Sequence, residues 1–254
     1  ASLQTRAVED GDDFVINGTK IWTSGAHRAD HIMVLTRTDP DAPKHRGISF
    51  LLCDMNTPGL TVNPIINMAG DHSFNMVTFD NVRVPKKNLV GEQNRGWYVG
   101  ATLLDFERSG VDYSAGSRRV LEELVEYSKE NYKDGKLLSE DEVTRNRLAD
   151  LAIEIEVSRL ISYNIAWMQG AGLVPNKESS MGKVFGTELQ QHVGSTGMQM
   201  LGLHSQLEPD SKYAPLRGRI EHWHLTNVSE TIAAGTSEIQ RNIIATRGLG
   251  LPRG

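Results

Sequence analysis

The sequence predicts an α+β fold, a β-rich segment followed by a helical one, on three observations. The first ninety or so residues carry short β-favouring runs separated by turn dipeptides and prolines. After Gly96 the apolar spacing changes to steps of three and four. No internal repeat or low-complexity tract breaks either half. The expected boundary lies near residue 92, which gives domains 1–92 and 93–254.

In the first half, Asp10-Gly11 and Asn17-Gly18 are turn signals flanking strands at residues 14–16 and 19–22. Residues 31–37 and 47–53 are β-rich runs, and Pro40, Pro43, Pro58 and Pro64 fall in the connections. Two further runs, 76–79 and 82–84, follow, the second closed by Pro85. Short strands at this spacing indicate a β-barrel or sandwich.

In the second half, residues 97–131 are helix-compatible, interrupted only by small residues such as Gly110 and Gly116. Residues 144–168 form a clearer helix, because Leu148, Leu151, Ile155, Ser158, Ser162 and Ile165 recur on one face. A third helix is expected over 179–201 and a fourth over 237–247. Residues 134–140 and 170–177 read as connections, and 202–219 as a longer loop.

Composition excludes several classes. The chain has 254 residues, with 27 basic and 32 acidic side chains and a net charge of −5. Its 39% hydrophobic and 23% charged residues are those of a globular protein with a substantial core. A mildly acidic chain has no general attraction for nucleic acid or anionic lipid. The longest apolar runs, such as 48–53, fall far short of the ~20 residues that span a bilayer. No charged-then-apolar signal segment opens the chain, so a cytoplasmic location is expected. The single cysteine, Cys53, excludes an internal disulfide framework and an all-cysteine metal site. The glycines show no phosphate-loop spacing, which disfavours a nucleotide-triphosphate enzyme. His222-x-His224 lacks an evident third ligand and reads as an ordinary exposed or packed pair, so no metal is expected.

Four segments, in order and spacing, resemble the acyl-CoA dehydrogenase family nearly end to end. They are Asn17-Gly18-Thr19-Lys20-Ile21-Trp22-Thr23-Ser24; residues 68–96 with Phe79-Asp80-Asn81-Val82-Arg83-Val84-Pro85; Phe106-Glu107-Arg108; and Gly235-Thr236-Ser237-Glu238-Ile239-Gln240-Arg241-Asn242. The resemblance implies a partial middle β domain followed by an antiparallel four-helix-bundle domain. The family's N-terminal helical domain has no counterpart in these residues. It also implies FAD as cofactor, an acyl-CoA substrate, electron-transfer flavoprotein as acceptor, and a homo- or hetero-oligomer, dimer or tetramer.

Removing a proton next to a thioester carbonyl needs a base, a hydride acceptor on the opposite face, and donors for the developing enolate oxygen. In the family the commoner place for the base is the residue before Gly-Thr-Ser, which here is Ala234, preceded by Ala233. The second place is on the helix opening the C-terminal domain, immediately before an arginine, and there the residue is Glu107. Leu103, Leu104, Phe106 and Val111 are apolar enough to raise its pKa, while Arg108 opposes them. A solvated salt-bridge glutamate is the commoner fate of such a pair, but the motif and the alanine at 234 favour the base. Ala234 keeps a backbone N–H for the thioester carbonyl.

The resemblance further places Trp22 beside the flavin ring and Ser24 at its N5, with Thr23 close by; the plainer reading is a core tryptophan next to polar strand-end residues. Thr236 and Glu238 match flavin-contacting positions, although Thr236 is also a good helix N-cap and Glu238 replaces the usual glutamine. Gln199 is retained from a Gln-Leu-Gly-Gly-like element that here lacks the second glycine. The arginine-to-phenylalanine-glycine element keeps only Gly135, with Asn131 and Asp134 at the other positions. Asp105 and Arg108 match positions near the thioester and pantetheine arm, or else pair with each other.

The leading expectation is therefore FAD-dependent α,β-dehydrogenation of an acyl-CoA, with Glu107 as base. The alternatives are a non-catalytic or partner-dependent subunit of a hetero-oligomeric dehydrogenase, and a flavin oxidase or monooxygenase of the same fold. The small Ala233-Ala234 pair suggests a branched, cyclic or otherwise bulky acyl group.

Overall fold

The computed structural model describes residues 1–107 and 110–252, with side chains described for all of these except 105–107. Contacts divide the chain into two compact units, Ala1–Leu104 and Asp105–Gly254.

The first unit is a curled six-stranded half-barrel. Its strands are β1 (Arg6–Asp10), β2 (Asp13–Lys20), β3 (His31–Arg37), β4 (Ile48–Asp54), β5 (Leu60–Ile65) and β6 (Phe74–Pro85), in the order β4-β3-β1-β2-β6-β5. The pairings are antiparallel except β1 with β3, which touch only at Arg6 and Arg37. Beyond that contact Lys20 bridges β2 to β3, its amine donating to the Leu35 carbonyl at 2.8 Å. Burial pushes the Lys20 pKa down to about 8. Strand alternation sends Phe14 and Ile16, Ile32 and Val34, Leu51 and Cys53, and Val77 and Phe79 into one core.

Three expectations change here. The run 19–22 stops at Lys20, because Trp22 has φ 62, a left-handed conformation that no strand accommodates. The runs 76–79 and 82–84 are one strand: Asn81 (φ 51) forms a bulge in which Asp80 and Asn81 oppose Asn17, and the inward parity shifts by one residue. Pro64 lies within β5 rather than in a connection, which an edge strand tolerates because one side needs no donor.

The helix α1 (Gly96–Glu107) begins against β4. A Cβ at Gly96 would lie 2.3 Å from the Phe50 backbone nitrogen, so only glycine allows this approach. Met33, Leu35, Phe50, Trp97, Leu103 and Leu104 line an apolar groove of about 270 Å³ on this unit.

The second unit contains α2 (Val111–Glu130), a hairpin of β7 (Tyr132–Lys133) and β8 (Lys136–Leu137), and α3 (Glu142–Gly170). These are followed by α4 (Asn176–Leu201), α5 (Arg219–Thr226) and α6 (Ser237–Ile243). Its core joins Val120 and Leu124 of α2, Leu151 and Ile155 of α3, Leu189 and Val193 of α4, and Ile220 of α5. The side chain of Asp141 caps α3 by accepting from the Thr144 backbone N–H at 2.8 Å.

The expected helix over 97–131 is two helices, with Gly110 (φ 71) at the start of α2. The connection at 134–140 holds the β7–β8 hairpin, whose Asp134 (φ 52) and Gly135 (φ 82) are both left-handed. Among the described residues the helical unit has three long and two short helices, α5 being the one the sequence reading omitted. His222 and His224 lie two apart on α5, so they do not share a helix face.

Candidate active site

Each unit carries part of the expected site. In the first, the segment after β2 leaves the sheet and displays Trp22, whose side chain is 61% exposed despite its size. Its ring meets Phe74 edge to face at 5.9 Å. The left-handed backbone at Trp22 costs roughly 1–3 kcal/mol, so something must hold it. That element is β6. The Thr23 N–H donates to the Asn75 carbonyl at 2.9 Å, and the Gly25 N–H to the Ser73 carbonyl at 3.1 Å. The Asn75 side-chain amide donates to the Thr23 carbonyl at 3.0 Å. Asn75 is itself fully buried. Among the described residues neither the Thr23 nor the Ser24 hydroxyl has a protein partner, so both are available to a ligand beside the indole.

In the second unit, Ala234 (φ 52) and Gly235 (φ 94) form a turn before α6. The buried Gln240 holds it, donating to the carbonyls of Ala234 at 3.2 Å and Gly235 at 3.3 Å. The Thr236 hydroxyl caps α6, accepting from the Ile239 N–H at 3.3 Å. The Glu238 carboxylate is bound by its own backbone N–H and by the Thr236 hydroxyl, which hold its pKa below the usual value. Ala233 and Ala234 are exposed. Gln199 sits at the exposed end of α4, where its carbonyl accepts from Arg147 on α3 at 2.5 Å. Trp22, Thr23 and Ser24 therefore cluster, as do Ala234, Thr236 and Glu238. The backbone of Asp105 and of the expected base Glu107 belongs to α1 but their side chains are not described, and Arg108 lies outside the described residues.

Sequence reasoning missed the residues that shape these turns. Lys183 is 2% exposed on α4, and its amine donates to the Glu230 carbonyl at 2.8 Å, fixing the chain shortly before Ala234. Burial pushes the Glu230 carboxyl up, opposed by Lys183 and reinforced by Asp112. Gln191 adds bonds to the Asn227 carbonyl and the Thr231 hydroxyl, both at 3.1 Å. A lone lysine in the small and apolar run Met181-Gly182-Lys183-Val184-Phe185-Gly186 was the available signal. Asn75 offered none, because an asparagine ordinarily reads as a turn residue.

The half-barrel and the helical bundle that follows it each match a domain of one protein family. The chain belongs to the acyl-CoA dehydrogenase family. The family's middle domain matches residues 1–82 and its C-terminal domain matches residues 94–249. Members are typically FAD-dependent.

Acyl-CoA dehydrogenase FadE26 of Mycobacterium tuberculosis is 39% identical over 262 residues, covering 100% of this chain and 65% of that protein. The ChsE4-ChsE5 complex from Mycobacterium tuberculosis aligns with TM-score 0.90 at 38% identity, covering 100% of this chain and 65% of the other. The Tcur3481-Tcur3483 steroid ACAD aligns with TM-score 0.92 at 35% identity and the same coverage. The chain thus spans about 65% of the length of these relatives.

Proposed function

We propose that this chain serves in FAD-dependent α,β-dehydrogenation of an acyl-CoA whose acyl group is bulky and ring-bearing. The observation that carries the reading is the 22–24 loop, with an exposed indole and two unpartnered hydroxyls held in a costly conformation by a buried asparagine. FAD, when bound, supplies the acceptor for the β-hydride. Trp22 offers a face to a flat ring, and the Thr23 and Ser24 hydroxyls orient its edge. Glu107 takes the α-proton on its carboxylate. Ala234 stands where the family's main-chain donor to the thioester oxygen stands, in a turn set by Gln240. Thr236, Glu238 and Gln199 flank the cofactor in this reading, and Asp105 and Arg108 flank the thioester and its pantetheine arm. Electron-transfer flavoprotein is the proposed acceptor.

The exposed Ala233-Ala234 pair leaves room at the reacting carbons, and the likeness to the Tcur3481-Tcur3483 steroid ACAD supports a fused-ring substrate. The relatives solved as two-component complexes favour a second reading within the first, in which the flavin site is completed by a different subunit. The chemistry is tested with Glu107→Gln in the flavin-loaded assembly. Anaerobic flavin bleaching by acyl-CoA should slow by ~10²–10⁴-fold, the usual contribution of a general base. Bleaching at near wild-type rate would reject Glu107.

A further inference from the structure

The buried amide of Asn75 is shared between the 22–24 loop and two histidines. Its nitrogen Nδ2 lies 3.0 Å from the Thr23 carbonyl oxygen and 3.2 Å from His27 Nδ1. Its oxygen Oδ1 lies 2.8 Å from His72 Nε2. The two imidazoles stack on each other, with centroids 3.9 Å apart and planes 21° apart. His27 belongs to the 3-10 turn Ala26–Arg28 just after the loop, and His72 to the segment leading into β6.

These contacts fix the protons. A carbonyl oxygen only accepts, so Thr23 forces Nδ2 toward itself and settles which way the amide points. The second hydrogen of Nδ2 then points at His27 Nδ1, which must be an unprotonated acceptor. His27 is therefore neutral with its proton on Nε2. Oδ1 likewise accepts, so His72 carries a proton on Nε2 whether or not its other nitrogen is charged. Protonating His72 leaves the network intact, whereas protonating His27 sets N–H against N–H. Only an inverted amide would reward that proton, and Thr23 forbids the inversion.

We propose that Asn75 and neutral His27 are positioning residues that lock the 22–24 loop in its ligand-ready form, and that a proton on His27 Nδ1 opens the lock. The consequence for flavin rests on the proposed flavin role of Trp22, Thr23 and Ser24; the lock itself does not. The charged groups bearing on His27 are His72 and, on its own turn, Arg28, both basic. Strand β5 has no titratable side chain, the adjoining end of β6 (Phe74, Asn75, Met76, Val77) has none, and Asp71 precedes His72 in the chain. His27 is exposed on one side; partial desolvation, His72 and Arg28, in that order, hold it below its ordinary pKa against a smaller upward pull from the Asn75 contact, so the lock stays closed at neutral pH and opens on acidification.

The test begins without flavin. Nitrogen-edited NMR of the histidine rings at pH 7.5 should show His27 neutral and protonated at Nε2; a neutral His27 protonated at Nδ1 would overturn the assignment. Exchange protection of the Thr23 and Gly25 amides, corrected for intrinsic rates, should fall about fivefold between pH 7.5 and 5.5, the loss of one net hydrogen bond. In His27→Gln the new carbonyl still accepts from Asn75 and does not titrate, so protection should be flat with pH. A His27→Gln protein as pH-sensitive as wild type would overturn the proposal, and this variant needs no change in the core, unlike Asn75→Ala. In the flavin-loaded assembly, FAD should be released about fivefold more readily at pH 5.5 than at 7.5 in wild type and not in His27→Gln. Amide protection that behaves as expected while FAD retention does not follow it would support the lock and reject the flavin role of the loop.

Discussion

At the scale of single residues, two lysines sit where water cannot fully reach them, and the amine of each donates to a backbone carbonyl. Lys20 spans the opening between β2 and β3, with a pKa near 8. In the unfolded chain a lysine keeps a pKa of about 10.4, so between these values the unfolded state binds more protons. Stability should therefore rise as pH climbs from about 8 toward 10.4, and the burial penalty should be complete below that window. Lys20→Met removes the titrating group. Denaturant midpoints of wild type and variant across pH 7.5–10.5 should differ by an amount that changes with pH through this window; a constant difference would show that Lys20 titrates normally. Lys183 keeps its amine on the Glu230 carbonyl. Its truncation to alanine should cost ~2–4 kcal/mol through cavity and lost hydrogen bond together, read from the urea midpoint.

At the scale of elements, glycine decides how closely helices approach. On α4, a Cβ at Gly186 would lie 2.4 Å from Tyr113 Cδ2, and at Gly197 2.7 Å from Ile220 Cγ2. Gly197→Ala should destabilise by ~1–3 kcal/mol, the usual cost of overpacking, even though alanine is the better helix former. Gly96→Ala should cost more, since its obstacle is the β4 backbone, which cannot rotate away as a side chain can. Thermal unfolding of the two variants would rank them. The elements legible in the sequence are those whose local pattern agrees with their packing. Strand β3 falls on residues 31–37 as expected, because buried Ile32 and Val34 alternate with exposed His31 and Met33. The end of β2 was overrun because Ile21 and Trp22 favour strands, and only the tertiary hold of β6 turns them out. Helix α5 was omitted because eight residues, Arg-Ile-Glu-His-Trp-His-Leu-Thr, give too few periods to read.

At the scale of the molecule, the order of a half-barrel followed by a bundle was legible from the change of period, and the family from four ordered motifs. Trp22, Thr23, Ser24 and the 234–238 turn came with those motifs. Asn75, His27, His72, Lys183 and Gln240 did not, because their partners lie 3 to 52 residues away, most of them 47 or more, and no local period links them. If the flavin site is shared with a different subunit, the chain purified alone should carry little FAD, and co-expression with the missing component should bring it to stoichiometric yellow colour. Stoichiometric FAD in the lone chain would reject the shared site. The glycines of α4 also bear on the order of folding. Gly182, Gly186, Gly194 and Gly197 each weaken helix formation by about 1 kcal/mol relative to alanine, so a peptide of this segment should be coil in water by circular dichroism. Helix α4 must then form together with α2, α3 and α5, whose Tyr113, Ile165, Trp223 and Ile220 side chains fill its gaps, so its order is a product of the assembled bundle rather than a seed for it.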